Sequence, residues 1–319
     1  MYLSNLLQKV YSDLGQTPKN YGQFVATGGS ATTFINTAWG DLESPPETDA
    51  FKNMIAFVVR DAGGANASPE GKYSKISAYA DSTYTGTIAT VTDAIASGDR
   101  IMIVSQDKFP LDQVIFCVNR ALENLGTIEL VNTSLTSASD QTEYAIPLDL
   151  KNKKPLAIYY QGDTSDSNNN NWIPVSSYRF EGAAPGSTGT LYLPQLPTGR
   201  TIRIVYEGIH PVVSDYNSYV SETIHPEVAT AAAIVEVLAW YNRLDENQSG
   251  NDFYLWLEGE YRDKRLPFAL AKNPIEKEKR RPTLRGAARS RPSYQFPLTN
   301  HLAAGTVPDG VGAVTKLVT

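Results

Sequence analysis

Residues 226–244 read Pro-Glu-Val-Ala-Thr-Ala-Ala-Ala-Ile-Val-Glu-Val-Leu-Ala-Trp-Tyr-Asn-Arg-Leu. Pro226 suits a first helical position, where its missing N–H has no intrahelical acceptor to lose. Val228, Ala231, Ala232, Val235, Leu238, Ala239 and Leu244 then recur at helical spacing, and Ser249-Gly250 closes the run. A core helix is predicted here, and it needs partners. Three other segments offer them. Residues 3–14 carry Leu3, Leu6, Leu7, Val10, Tyr11 and Leu14 before Gly15 and Pro18. Residues 110–126 start at Pro110 and set Val114, Val118, Ala121, Leu122 and Leu125 on one face before Gly126. Residues 252–265 pass through Phe253, Leu255, Trp256 and Leu257, and Pro267 is expected to end that helix.

Between the helices the pattern changes. Thr32–Asn36, Met54–Arg60, Lys75–Tyr79, Thr85–Val91 and Arg100–Ser105 are short segments rich in Thr, Val, Ile and Tyr, separated by Gly, Asp and Ser clusters. A second set follows at Glu143–Ile146, Leu156–Tyr160, Ile173–Phe180, Thr190–Leu193 and Thr201–Tyr206. The predicted class is α+β: an interrupted helical bundle with two antiparallel β insertions and an extended C-terminal arm. Residues 1–19, 109–139 and 222–268 form the helical core, 20–108 a barrel-like insertion, 140–221 a β-rich insertion and 269–319 the arm. Each insertion begins and ends at a helix, so both are expected to fold as autonomous excursions.

The chain has 319 residues, enough for a sizeable core, with 41% hydrophobic residues, 19% charged residues and 18 tyrosines. A surface rich in Tyr and poor in charge favours protein contacts. A single cysteine, Cys117, lies in an apolar run, which excludes an internal disulfide and suits a reducing compartment. The apolar stretch at 230–235 is far short of a membrane span, and residues 1–9 lack the basic start and apolar core of a secretory signal. Neither membrane association nor export is expected. The net charge of −6 is unevenly spread. Residues 1–271 hold 19 basic against 31 acidic residues, a net of −12, whereas residues 272–292 hold 8 against 2, a net of +6.

No set of residues assembles a reaction centre. His210 and His225 each precede a proline, His301 stands apart, and Cys117 has no basic neighbour in sequence, so all four are expected to be structural. Gly28-Gly29-Ser30 and Gly63-Gly64 lack the strand-then-helix setting of a phosphate loop. The polar run 163–171 lacks the central Gly and closing Glu of a calcium loop and is predicted to be a hairpin tip. No catalytic, cofactor or metal residue is predicted. The candidate binding residues are those of the arm: Lys272, Lys277, Lys279, Arg280, Arg281, Arg285, Arg289 and Arg291, with Tyr294 and Phe296 as apolar anchors. A basic segment interrupted by Pro274, Pro282 and Pro292 is expected to dock on an acidic protein surface, with nucleic acid the second choice.

The order of segments resembles the head-to-tail adaptor proteins of tailed bacteriophages, also described as connector, head-completion or neck proteins. The echoes are Leu3-Ser4-Asn5-Leu6-Leu7 to Leu14-Gly15, then Gly29-Ser30-Ala31-Thr32-Thr33 with 51–57, 76–79 and Ser97-Gly98-Asp99-Arg100. They continue through Asn119-Arg120-Ala121-Leu122, Tyr144-Ala145-Ile146-Pro147, Trp172-Ile173-Pro174-Val175, Leu191-Tyr192-Leu193 and 202–208, and end in the Ala-rich helix after Pro226. The resemblance covers about residues 1–265 and is one of pattern. It implies a virion protein, assembled in the host cytoplasm, that forms a homo-oligomeric ring, commonly twelve-fold, in the neck. The ring would sit between portal protein above and tail or neck proteins below, and DNA would pass its lumen without specific binding. An acidic body suits such a wall, because like charge removes the attraction for phosphate. Two other classes stay open: a tail-tube, terminator or baseplate component, and a β-sandwich glycan-binding module using Tyr159, Tyr160, Trp172 and Tyr178.

Overall fold

The computed structural model describes residues 1–64, 68–151, 153, 155–162, 171–181, 189–244 and 252–275. The chain opens with α1 (Leu3–Asp13), followed by β1 (Gln23–Val25), β2 (Gly28–Ser30), β3 (Thr33–Ile35), β4 (Ile55–Arg60), β5 (Tyr73–Ala80), β6 (Thr85–Ile88) and β7 (Arg100–Val104). Next come α2 (Leu111–Asn124), β8 (Ile128–Thr136), β9 (Glu143–Ala145), β10 (Pro155–Gln161), β11 (Trp172–Pro174), β12 (Arg179–Glu181), β13 (Thr190–Tyr192) and β14 (Thr201–Gly208). The last elements are α3 (Pro226–Leu244), α4 (Asp252–Glu260) and α5 (Leu266–Lys272), the latter two joined by a π-helical turn at Tyr261–Arg265.

The expected interrupted helical bundle is not what the chain builds. Among the described residues it forms fourteen strands in three antiparallel sheets, against four helices when α4 to α5 is taken as one continuous run. The reason lies in β4 and β7. Along a strand successive side chains point to opposite faces, so a run apolar at every position is buried on both. Ile55 and Phe57 of β4, with Met102 and Val104 of β7, pack into one core with the helices. Ala56 and Val58, with Ile101 and Ile103, fill a second core on the other side. The helices therefore cover the face of a sheet instead of closing around one another.

That sheet has seven strands in the order β1-β7-β4-β5-β6-β3-β2. Its two end strands are separated in sequence only by Ala26 and Thr27, so the sheet must curl to bring them together. The enclosed core holds Phe34, Trp39, Phe51, Ile76, Tyr79 and Ile101. Gly86 of β6 is required by the packing: a Cβ there would lie 2.1 Å from Cζ of the buried Phe34 ring. Asp99, fully buried, accepts hydrogen bonds from the backbone N–H groups of Ala62 (2.9 Å) and Ala96 (2.8 Å) and so ties two loops together at one rim.

The second β region pairs a four-stranded sheet, β11-β10-β14-β8, with a three-stranded sheet, β12-β13-β9. Ile158, Ile202, Ile204 and Tyr206 of the first meet Tyr144 and Leu191 of the second in a common core, as in a sandwich. β8 pairs with β14 from Ile128↔Gly208 to Thr136↔Thr201. Ile128, at its start, reaches the helical core, which links the sandwich to the helical layer.

Within the helical layer α1 matches expectation, with Leu3, Leu6, Leu7, Val10, Tyr11 and Leu14 all buried. The Tyr11 hydroxyl donates to the carbonyl of Phe109 (2.8 Å). α2 and α3 pack together, and Arg120 bridges to Glu236 at 3.2 Å. Asn119 clamps Val213 twice: Nδ2 donates to its carbonyl and Oδ1 accepts from its N–H, both at 2.8 Å. On α3 the buried apolar residues are Val228, Ala229, Ala231, Ala232, Ala233, Ile234, Val237 and Leu238, whereas Val235 and Ala239 are only partly buried. A helix buried on several sides has no single apolar stripe to read. Pro267 does not end the last helix. It occupies the first turn of α5, where its lost N–H is tolerated, and the helix runs to Lys272, past the expected start of the extended arm at 269.

Candidate functional site

α1, the start of α3 and the run from the π-helical turn to α5 enclose an open pocket of about 540 Å³ at the edge of the seven-stranded sheet. Its apolar lining comes from Met102, Ala231, Phe268 and Ala269, and its charged rim from Lys9, Asp13, Glu227, Arg265 and Lys272. The volume lies within the range of about 300–1,000 Å³ common for binding clefts.

Hydrogen bonds fix one wall. The Tyr261 hydroxyl donates to Asp13 Oδ2 (2.9 Å) and accepts from Arg265 Nη1 (2.7 Å), while the Arg265 guanidinium sits 4.6 Å from the Tyr261 ring centroid. Burial, reinforced by the bond to Asp13, pushes the Tyr261 phenol up to about 12, so it remains a donor at neutral pH. On the opposite rim Lys272 Nζ lies 3.3 Å from Glu227 Oε2, and Asn273 Nδ2 donates to the same oxygen at 3.1 Å. The hydrogen bond from Lys272 holds the Glu227 carboxyl below its ordinary value. One donor is left over. Gln8 lines the pocket, is 9% exposed, and its Nε2 has no hydrogen-bond partner among the described residues.

A second feature lies on the same helical run. Tyr254, Leu257, Glu258 and Tyr261 are buried against the body. Phe253, Leu255 and Trp256 turn the other way and are 56%, 53% and 60% exposed. The Phe253 and Trp256 rings lie 6.1 Å apart. Phe268, 69% exposed, adds a fourth large apolar side chain at the lip of the pocket.

Of the predicted arm residues, only Lys272 falls within the described part, at the end of α5 and paired with Glu227. Lys277, Lys279, Arg280, Arg281, Arg285, Arg289, Arg291, Tyr294 and Phe296 lie outside the described residues, as does His301. Residues 163–170 also lie outside them; the flanking strands pair as Gln161↔Trp172. The four aromatics considered for a glycan surface are divided. Tyr160 and Tyr178 pack against the sandwich core. Tyr159, partnered with Pro174 and Arg203, and Trp172 share the other face of their sheet, where Arg203 lies 5.6 Å from the Trp172 ring centroid.

Cys117 is buried between helices, and burial pushes its thiol up to about 11, which keeps it protonated and unreactive. His210 is buried with both ring nitrogens engaged: Nδ1 lies 2.6 Å from the Pro211 carbonyl, and Nε2 accepts the Ser221 N–H at 2.9 Å. This arrangement requires the neutral ring, and burial lowers its pKa from the ordinary 6.5. The unfolded chain therefore binds more protons than the folded one as pH falls below 6.5, and stability declines in that direction. Replacing His210 with Gln should flatten that part of the profile, as measured by urea midpoints between neutral and mildly acidic pH. An unchanged slope would show that His210 does not govern it. Among the described residues no group of three or more His, Cys, Asp and Glu side chains could hold a metal ion.

Sequence reasoning missed both the pocket and the exposed ridge. The pocket joins segments more than two hundred residues apart, a proximity that only the fold creates. The ridge left a readable signal: Phe253, Leu255, Trp256 and Leu257 cannot all share one face of a helix, because positions one and two apart point in different directions. No protein-family model matches the chain, and no curated protein matches it.

Proposed function

We propose that this chain is a structural virion protein of a tailed bacteriophage: an adaptor that forms a homo-oligomeric ring between the portal vertex and the tail and continues the DNA channel. It carries no catalytic or cofactor role in this proposal, and its partners are the portal, neighbouring copies, and tail or neck proteins. The observation that carries it is the exposure of large apolar side chains at two places on one helical run, Phe253, Leu255 and Trp256 on α4 and Phe268 on α5. An exposed apolar surface of this kind favours protein–protein contact. The segment order resembles that of such adaptors, and the net charge of −12 over residues 1–271 suits a channel wall that lets DNA slide. The net of +6 over residues 272–292 suits a segment that grips an acidic partner.

The test is native mass measurement and particle imaging of the purified chain, alone and with portal protein. A closed ring that binds the portal is the expected result. Removing residues 276–319 should leave a body that melts normally but no longer binds the portal. Changing Arg280, Arg281, Arg285 and Arg289 together to Glu should weaken docking more than changing them to Lys. A chain that stays monomeric and ignores the portal overturns the proposal.

A further inference from the structure

We infer that the ring is held by a head-to-tail contact in which the ridge Phe253, Leu255 and Trp256 of one copy enters the 540 Å³ pocket of the next. This rests on the ring-forming role proposed above and names the surfaces that would build it.

Four observations lead to a second copy as the occupant. The first is orientation. The helical run 252–272 lends Tyr261, Arg265, Phe268 and Ala269 to the pocket, while Phe253, Leu255 and Trp256 face away from the buried side that holds Tyr254, Leu257 and Tyr261. A copy cannot put this ridge into its own pocket, yet each copy carries both halves of the contact. Two different patches that fit one another make a heterologous interface, which closes into a ring when the rotation between copies allows it.

The second is charge. α4 contains Asp252, Glu258 and Glu260 and no basic residue. Glu258 and Glu260 pair with Arg262 and Lys264, and Asp252 makes no ion pair among the described residues. At the pocket Lys9 is exposed and likewise makes no ion pair among the described residues. The ridge thus brings Asp252 to a rim that holds Lys9, neither of them in an ion pair among the described residues, and their opposite charges select register and partner.

The third is the unpartnered donor. Gln8 lines the pocket, and its Nε2 has no acceptor among the described residues, so the wall of the pocket holds a polar side chain whose hydrogen bonding a docked neighbour can reorganise. The fourth is shape: an aromatic pair on a rigid helix entering an apolar pocket has the composition of an interface hot spot, with charges left at the rim.

Two substitutions separate the halves. Trp256→Asp spoils the ridge and Ser12→Trp plugs the pocket mouth; both positions are exposed, so both proteins should melt as the parent does. Each variant alone should lose association about thirtyfold or more, read as dissociation in light scattering. Mixed together they should form a dimer and nothing larger, because Trp256→Asp keeps its pocket and Ser12→Trp keeps its ridge. If either variant misfolds, Phe253→Ser and Lys9→Glu replace it in the same mixing experiment.

Rings of parental stability from both variants would overturn this contact while leaving the ring itself intact. Loss with Ser12→Trp alone would give the pocket to another segment of the neighbour, and loss with Trp256→Asp alone would send the ridge elsewhere; either result overturns it too. A parent chain that stays monomeric, even with portal protein, would overturn the ring role and this contact together.

Discussion

Changing Ile234 to Asp is expected to abolish cooperative folding. Ile234 is fully buried in α3, in the core that also holds α1, α2 and the inner face of β4 and β7. An unpaired carboxylate there costs several kcal/mol, against a total stability of about 5–15 kcal/mol for a typical domain. The neighbouring change Val235→Asp should be much milder, because Val235 is only partly buried and its replacement can reach water. Thermal melting followed by circular dichroism checks the pair. Near-parental melting of Ile234→Asp, or equal damage from both, would contradict the placement of α3.

Replacing residues 27–105 by a short Gly/Ser linker should destroy the helical signal, contrary to the expectation of an autonomous insertion. The replacement removes β4 and β7, and with them Ile55, Phe57, Met102 and Val104 from the core shared with the helices. At about 1.5–3 kcal/mol for burying each such side chain, the loss is about 6–12 kcal/mol, comparable to the whole stability of a domain. The shorter loop returns little of this, since closure entropy varies only slowly with length. Helical circular dichroism and a cooperative melt in the shortened protein would show instead that the helices sustain their own core.

Local periodicity located most elements. The spans expected at 3–14, 110–126 and 226–245 correspond to α1, α2 and α3 within a few residues, because caps, glycines and prolines mark helix ends in the chain itself. Most of the expected β segments became strands, although Ile173–Phe180 divides into β11 and β12. β8 escaped notice. Its sequence, Ile-Glu-Leu-Val-Asn-Thr-Ser-Leu-Thr, carries several turn-forming residues and is held extended by the ladder to β14, a partner some seventy residues away.

Architecture was a different matter. A run such as Ile-Ala-Phe-Val-Val in β4 states that both faces are buried but not against what. One face met helices and the other met strands, and that single fact turned an expected helical bundle into helices laid on a sheet. The candidate site shows the same division. The basic residues of 272–292 and the acidity of the remainder are properties of composition, legible without any fold. The pocket, the buried donor of Gln8 and the outward turn of Phe253, Leu255 and Trp256 depend on how distant segments meet. Backbone hydrogen bonding and capping act over a few residues and are written into the chain. The choice of which apolar faces bury one another is made among many nearly equivalent pairings, and only packing of the whole molecule resolves it.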